Sequence, residues 1–164
     1  MKKNLMWTGL LLAGSLLLTS CGFHLRGSLP LERYPAIFVD AKKHSELASL
    51  LSEQLESNAV KLLTKLDPKA PALMLQQDSL ERRTLSLFPN GQVAEYELIY
   101  RVKYQVLLPG QDIQEFQFEL TRDYQDDPNL ALAKAKELDL LLQELRSQAA
   151  SRIIRQLNLS LIHI

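Results

Sequence analysis

The chain has 164 residues, 46% of them hydrophobic, with 19 Lys and Arg against 19 Asp and Glu. That length supports one ordinary domain with a sizeable core. The balanced charge argues against general nucleic-acid binding, which needs a basic face.

At the N-terminus, Lys2 and Lys3 precede an apolar stretch from Leu10 to Leu18, and Leu18, Thr19 and Ser20 lead into Cys21, the only cysteine. This order is a charged n-region, an h-region and a cleavage site of the bacterial lipoprotein kind. The apolar run from Leu5 to Leu18 falls short of the roughly 20 residues a membrane span needs. Residues 1–20 are therefore expected to be a lipoprotein signal peptide, and Cys21 the lipid-modified first residue of the mature protein. Acylation on sulfur and on the new amino terminus exceeds the two signals that stable anchoring needs. Gly22, not Asp, follows the cysteine, and by resemblance to the sorting rule of Gram-negative lipoproteins the protein is expected to travel to the outer membrane. Cleavage leaves 164 minus 20, or 144 residues, with 17 basic and 19 acidic groups. Gly27, Ser28, Pro30 and Pro35 mark residues 21–35 as a lipidated tether, with one domain over 36–164.

Ala36 to Val39 form a short apolar run that ends at Asp40 and predicts a buried strand. Leu47, Leu50, Leu51, Leu55, Ala59, Leu62, Leu63 and Leu66 then recur at intervals of three and four, predicting a helix capped by Ser45 and stopped by Asp67 and Pro68. Leu73 to Leu87 read as extended but alternate imperfectly, interrupted by Gln76, Gln77 and Asp78 and by Glu81, Arg82 and Arg83. Phe88, Pro89, Asn90 and Gly91 make a turn, Asn90 and Gly91 being suited to a tight hairpin that needs positive φ. The clearest strand follows, with Tyr96, Leu98, Tyr100, Val102, Tyr104, Val106 and Leu108 alternating with mostly polar residues. Pro109 and Gly110 turn the chain into a third long strand carrying Phe116, Phe118, Leu120 and Tyr124. Asp127 and Pro128 open a second helix striped by Leu138, Leu141, Leu142, Leu145, Ala149, Ile153 and Leu157. It has room for about eight turns. The expected fold is an α+β two-layer sandwich, order β-α-β-β-β-α, with two helices on one face of a mostly antiparallel four-stranded sheet.

Catalytic chemistry has little support. His24, His44 and His163 have no partner at metal-ligand spacing, and there is neither a Gly-x-Ser-x-Gly elbow nor a glycine-rich phosphate loop. Asp126 and Asp127 read as a solvated cap for the second helix, and a hydrolase would need a pair such as Asp123 and Asp126 in a cleft. No enzyme activity, metal or cofactor is expected beyond the covalent lipid on Cys21. Binding fits better. Arg82 and Arg83 precede the hairpin, Arg101 and Lys103 lie on the polar side of the central strand, and Lys134 sits in the opening turns of the second helix. Such groups can meet phosphates. They can equally be solvated, or pair across strands with Glu95, Glu97, Glu115 and Glu119; both readings stay open.

Cys21, Gly22, Phe23, His24, Leu25, Arg26 and Gly27 resemble the opening of the mature LPS-assembly lipoprotein LptE (RlpB) family. Phe88 to Tyr96, Leu108 to Ile113 and Asp127 to Lys134 resemble further segments of that family, in the family's order. The resemblance implies a non-enzymatic outer-membrane lipoprotein that partners the LptD β-barrel translocon, lies largely as a plug in its lumen, and assists lipopolysaccharide delivery to the outer leaflet. It also implies lipopolysaccharide contact by basic residues near the hairpin and the second helix, with Lys134 at the matching helix position. Family members can carry Arg just before Asn-Gly, whereas Pro89 stands here. The tip formed by Pro89, Asn90 and Gly91 is thus uncharged, and phosphate contact would fall to Arg82, Arg83 or Lys134. The alternative is a freestanding periplasmic lipoprotein that binds another envelope ligand such as peptidoglycan.

Overall fold

Alternation and helical periodicity translate into seven main elements in a computed structural model that describes residues 35–162. They are β1 (Ala36–Asp40), α1 (Glu46–Ser57), β2 (Lys61–Leu63), β3 (Ala72–Leu87), β4 (Val93–Leu107), β5 (Gln114–Gln125) and α2 (Ala131–Ile162). The signal peptide, Cys21, nearly all of the tether and His163 lie outside the described residues. No helix among those described is long and apolar enough to cross a membrane.

The sheet has five strands in the order β2-β1-β3-β4-β5, one more than the four expected. The extra strand is β2, whose Leu62 and Leu63 had read as the end of the first helix. That helix stops at Ser57 in a Schellman arrangement: the Val60 N–H donates to the Leu55 carbonyl at 3.1 Å and the Ala59 N–H to the Glu56 carbonyl at 2.9 Å. Ala59 takes the left-handed conformation, φ 61°, that glycine usually supplies. With no glycine there, the three-and-four spacing runs on through a real helix end. Asp67 and Pro68 instead turn the chain between β2 and β3, with the Asp67 carbonyl accepting from Ala70 N–H at 3.0 Å. Because α1 returns the chain over the sheet, β1 and β2 pair parallel, and β1 also pairs parallel with β3. The long strands β3, β4 and β5 form the expected antiparallel meander.

Both turns of the meander follow from their residues. In the first, the Gly91 N–H donates to the Phe88 carbonyl at 2.9 Å, and only Gly91 has positive φ, at 83°. Pro89 and Asn90 therefore form a type I turn followed by a left-handed glycine, a three-residue loop instead of the two-residue Asn90-Gly91 turn expected. In the second, Gln111 N–H donates to the Leu108 carbonyl, Pro109 sits at the first corner and Gly110, φ 75°, at the second, as a type II turn requires.

One face of the sheet packs on the helices. Leu98, Tyr100, Val102, Tyr104 and Val106 of β4 share a core with Leu47, Leu51 and Leu55 of α1 and Leu145, Ala149, Ile153 and Leu157 of α2. The imperfect alternation of β3 also has a cause. A register shift at Gln76 lets Leu73 and Leu75 face the helices, then moves Asp78, Leu80 and Arg82 onto that same face opposite Val102, Tyr100 and Leu98. Asp78 is accommodated there by accepting from the Tyr100 hydroxyl at 2.9 Å. Above it, Arg146 of α2 bridges to Glu46 in the first turn of α1, tying the two helices together. Ser45 caps α1 as expected, its hydroxyl accepting from Ala48 N–H at 3.1 Å.

Helix α2 has 32 residues and β4 has 15, so each is roughly 50 Å long at about 1.5 and 3.3 Å per residue. The helix thus runs the length of the sheet. The 12 residues of α1 cover about 18 Å, and its backbone runs nearest to β1, β2 and α2. The end of the sheet that carries the β3-β4 hairpin is therefore covered by the start of α2 alone.

Candidate functional site

The arrangement at that hairpin end starts from strand geometry. Consecutive strand residues point to opposite faces, so Arg82 and Arg83 cannot act together. Arg82 stands opposite Leu98 on the helix-facing side, while Arg83 stands opposite Glu97 on the outer side and forms an ion pair with it. Of the three cations expected to meet phosphate, two are brought to one face and one is not.

On the helix-facing side, the strand row Arg82, Leu98 and Arg122 lies next to the row Thr84, Tyr96 and Tyr124. Tyr96 and Tyr124 stack with centroids 6.5 Å apart and an interplanar angle of 22°. Lys134, in the first turn of α2, places its ammonium 5.1 Å from the centre of the Tyr124 ring. The Tyr124 hydroxyl in turn donates to the Lys134 carbonyl at 2.9 Å, which pins the helix start to β5. Burial, followed by the charge of Asp126, pushes the Tyr124 hydroxyl above its ordinary pKa, with Arg82 and Lys134 opposing. Arg82, Lys134 and Asp126 thus share the field around one ring.

Lys134 is not an idle cation. Its Nζ lies 2.8 Å from Glu137 Oε2, and that hydrogen bond raises its pKa. Arg122 is paired with Glu144 at 3.1 Å. Arg82 is exposed and takes part in no ion pair among the described residues. A phosphate arriving here would meet Arg82 directly but would compete with Glu137 for Lys134. Arg offers a planar fork for that purpose.

Beside these residues runs a groove of about 550 Å³ between the hairpin and α2, lined by Phe88, Glu95, Asp126, Leu130, Lys134 and Glu137. A second groove brings the hairpin tip, Pro89 and Asn90, against Asp127, Pro128 and Asn129. The Asp127 carboxylate accepts from Asn129 N–H at 2.9 Å and so caps a 3-10 turn over Pro128–Leu130 that leads into α2. Asp126 lines the first groove, but Asp123 sits on the outer face opposite Glu97. The two carboxylates that a hydrolase would need therefore lie on opposite sides of the sheet.

Arg101 and Lys103 occupy the outer face, where cross-strand pairing has absorbed them. Arg101 contacts Glu81 and Glu119, both at 2.5 Å, and Lys103 contacts Glu115 at 2.7 Å. The hydrogen bonds to Glu119 and Glu81 raise the Arg101 pKa, and Lys103 lowers that of Glu115. The structural reading of these alternating charges prevails over the phosphate reading. Sequence reasoning had passed over Tyr96, Tyr124 and Arg122 as site members. All three fall on the helix-facing phase of their strands, but only the pairing of β4 with β5 and the docking of α2 bring them together.

Residues 34–157 match the model of a family described as LptE, Lipopolysaccharide-assembly. A protein of Pectobacterium atrosepticum named LPS-assembly lipoprotein LptE is 35% identical over 147 residues, 87% of this chain and 79% of the relative. One of the same name from Yersinia pestis is 38% identical over 152 residues, 90% of this chain and 73% of the relative. The crystal structure of rare lipoprotein B from Shewanella oneidensis superposes with a TM-score of 0.72 at 43% identity, covering 78% of this chain and 97% of that one. A lipoprotein B from Nitrosomonas europaea gives a TM-score of 0.66 at 28% identity, covering 84% and 90%. With sequence and fold in agreement over most of its length, the chain belongs to the LptE lipopolysaccharide-assembly family.

Proposed function

We propose that this protein is a non-enzymatic lipoprotein of lipopolysaccharide assembly, anchored in the outer membrane through lipid on Cys21, that partners an LptD-type β-barrel as its plug and contacts lipopolysaccharide. One observation carries this reading. Phe88–Tyr96 and Asp127–Lys134, two of the segments that resemble the family, are far apart in the chain yet meet across the same grooves at the hairpin end. The basic and aromatic groups gathered there, Arg82 and Lys134 around Tyr124, suit a phosphorylated glycolipid whose headgroup is anionic and whose acyl chains are apolar. Leu85, Leu87 and Leu132, all exposed in this region, suit its apolar part or the wall of a protein partner. Arg82 is the leading hydrogen-bond donor to phosphate and Lys134 the second, while Arg83 is committed to the outer face. The ion-pair ladder of that outer face, in which Arg83, Arg101 and Lys103 each meet a carboxylate, suits a wet surface such as a polar barrel lumen.

The test is recovery of an affinity-tagged full chain from outer membranes. A large β-barrel protein is expected to co-purify in constant proportion. Recovery without a barrel, or with peptidoglycan in its place, would overturn the partnership and favour a freestanding envelope module.

A further inference from the structure

We propose that the groove between the outer edge of β5 and the second half of α2 receives an extended, acidic peptide segment of a protein partner, which adds to the sheet as a further strand. The proposal rests on the sheet edge and the groove, independently of the lipopolysaccharide reading.

Among the described residues this edge is left open. β5 pairs with β4 on one side in unbroken register from Gln125 to Gln114, and no strand among the described residues pairs with its other side. Twelve residues are long for an exposed edge. Proteins blunt such edges by shortening them or by placing proline, lysine or a bulge in them. The opposite edge, β2, is blunted by having three residues. β5 contains neither proline nor lysine nor a register shift. Its outward N–H and C=O groups are therefore positioned to pair with an incoming strand.

The flank above this edge adds charge selectivity. A groove of about 720 Å³ is lined by Leu120 of β5 and by Ser151, Arg152, Arg155, Gln156 and Leu159 of α2, and no carboxylate lines it. Elsewhere Arg83, Arg101, Lys103, Arg122, Lys134 and Arg146 each have an acidic partner. Arg152 and Arg155 take part in no ion pair among the described residues, and both are exposed. The Arg152 guanidinium lies 4.5 Å from the centre of the Phe118 ring, which holds its plane over β5 while its N–H edge stays available. A strand added beside β5 would project every second side chain, spaced about 7 Å apart, toward the flank of α2. Carboxylates at those positions would reach the two guanidiniums. A phosphorylated lipid could use the arginines but not the twelve-residue edge, so the peptide accounts for both features.

The probe is a synthetic peptide of about eight residues alternating Glu and Val, with blocked ends, a length within the usual strand range. It is titrated against the full chain in detergent by fluorescence anisotropy, with amide hydrogen exchange as the second readout. Saturable binding is expected, with slowed exchange at β5 amides and no binding of the same peptide with Lys in place of Glu. Arg152→Glu with Arg155→Glu should weaken binding at least about ten-fold, as loss of charge-assisted contacts predicts. Arg155→Gln, a milder exposed change, should weaken it in the same direction should the double variant fold poorly. Absence of saturable binding, unchanged exchange at β5, or equal affinity in the arginine variants would overturn the proposal. So would displacement of the peptide by inorganic phosphate or lipopolysaccharide vesicles, which would reveal an anion site with no strand pairing.

Discussion

At one end of the sheet, Leu73, Leu75, Tyr104 and Val106 are buried in a cluster shared with Leu51 of α1 and Leu157 of α2; at the other, Leu85, Leu87 and Phe88 are exposed and Arg82 faces solvent beside the start of α2. The difference arises from helix length, because α2 runs along the whole sheet and α1 stops after 12 residues. The doubly covered end carries stability. The hairpin end, relieved of that duty, gathers cations, aromatic rings and exposed apolar groups that a packed core would exclude.

Truncation tests this division most severely. Leu51→Ala at the packed end should cost about 2–5 kcal/mol, the usual loss for a fully buried leucine. Leu87→Ala at the hairpin end, where the side chain is 60% exposed, should stay within about 0.5 kcal/mol. Urea unfolding measures both, and comparable losses would erase the distinction between the two ends.

Alkaline titration probes the packed end by a second route. Burial pushes the Tyr104 hydroxyl from its ordinary value of 10 up to about 12, and burial together with Asp78 raises Tyr100 as well. Between these values the unfolded chain binds fewer protons than the folded one, so stability falls as pH rises. The contribution is full below pH 10 and is lost as pH climbs through about 12, a change on the order of 2–3 kcal/mol for Tyr104. Tyr104→Phe should flatten that slope in urea midpoints measured from pH 9 to pH 12, windows set by the same pKa values. An unchanged slope would place the loss elsewhere.

The smallest effect concerns the end of α1. Ala59→Gly should stabilise the protein by roughly 0.5–1 kcal/mol, because glycine adopts the left-handed φ of 61° without the strain alanine bears. A lower urea midpoint in this variant would show that the Schellman end is not strained.

What was legible in the chain follows from how local each signal is. Ser45 as a cap, the alternation of β4 and the Pro109-Gly110 turn depend on neighbouring residues, and each appears where the residues place it. β2 was hidden because Leu62 and Leu63 prolong a helical spacing past an end that Ala59 makes without glycine. Its parallel pairing with β1 is a contact across the α1 crossover, to which local periodicity is blind. The site was half legible. Arg82, Arg83 and Lys134 were found as cations, but the shift at Gln76 sets which arginine faces the helices. Glu137, three residues beyond Lys134, was readable as its partner. Tyr124 became a site residue only once β5 was registered against β4 and α2 was laid across it.

Titration of lipopolysaccharide against the full chain in detergent, comparing the parent with Arg82→Glu combined with Lys134→Glu, tests the functional half of the account most directly. The predicted result is at least about ten-fold weaker binding, as loss of charge-assisted contacts implies, in a variant that still unfolds cooperatively in urea. Equal affinity in the two proteins would contradict the assignment of the hairpin end as the lipopolysaccharide contact.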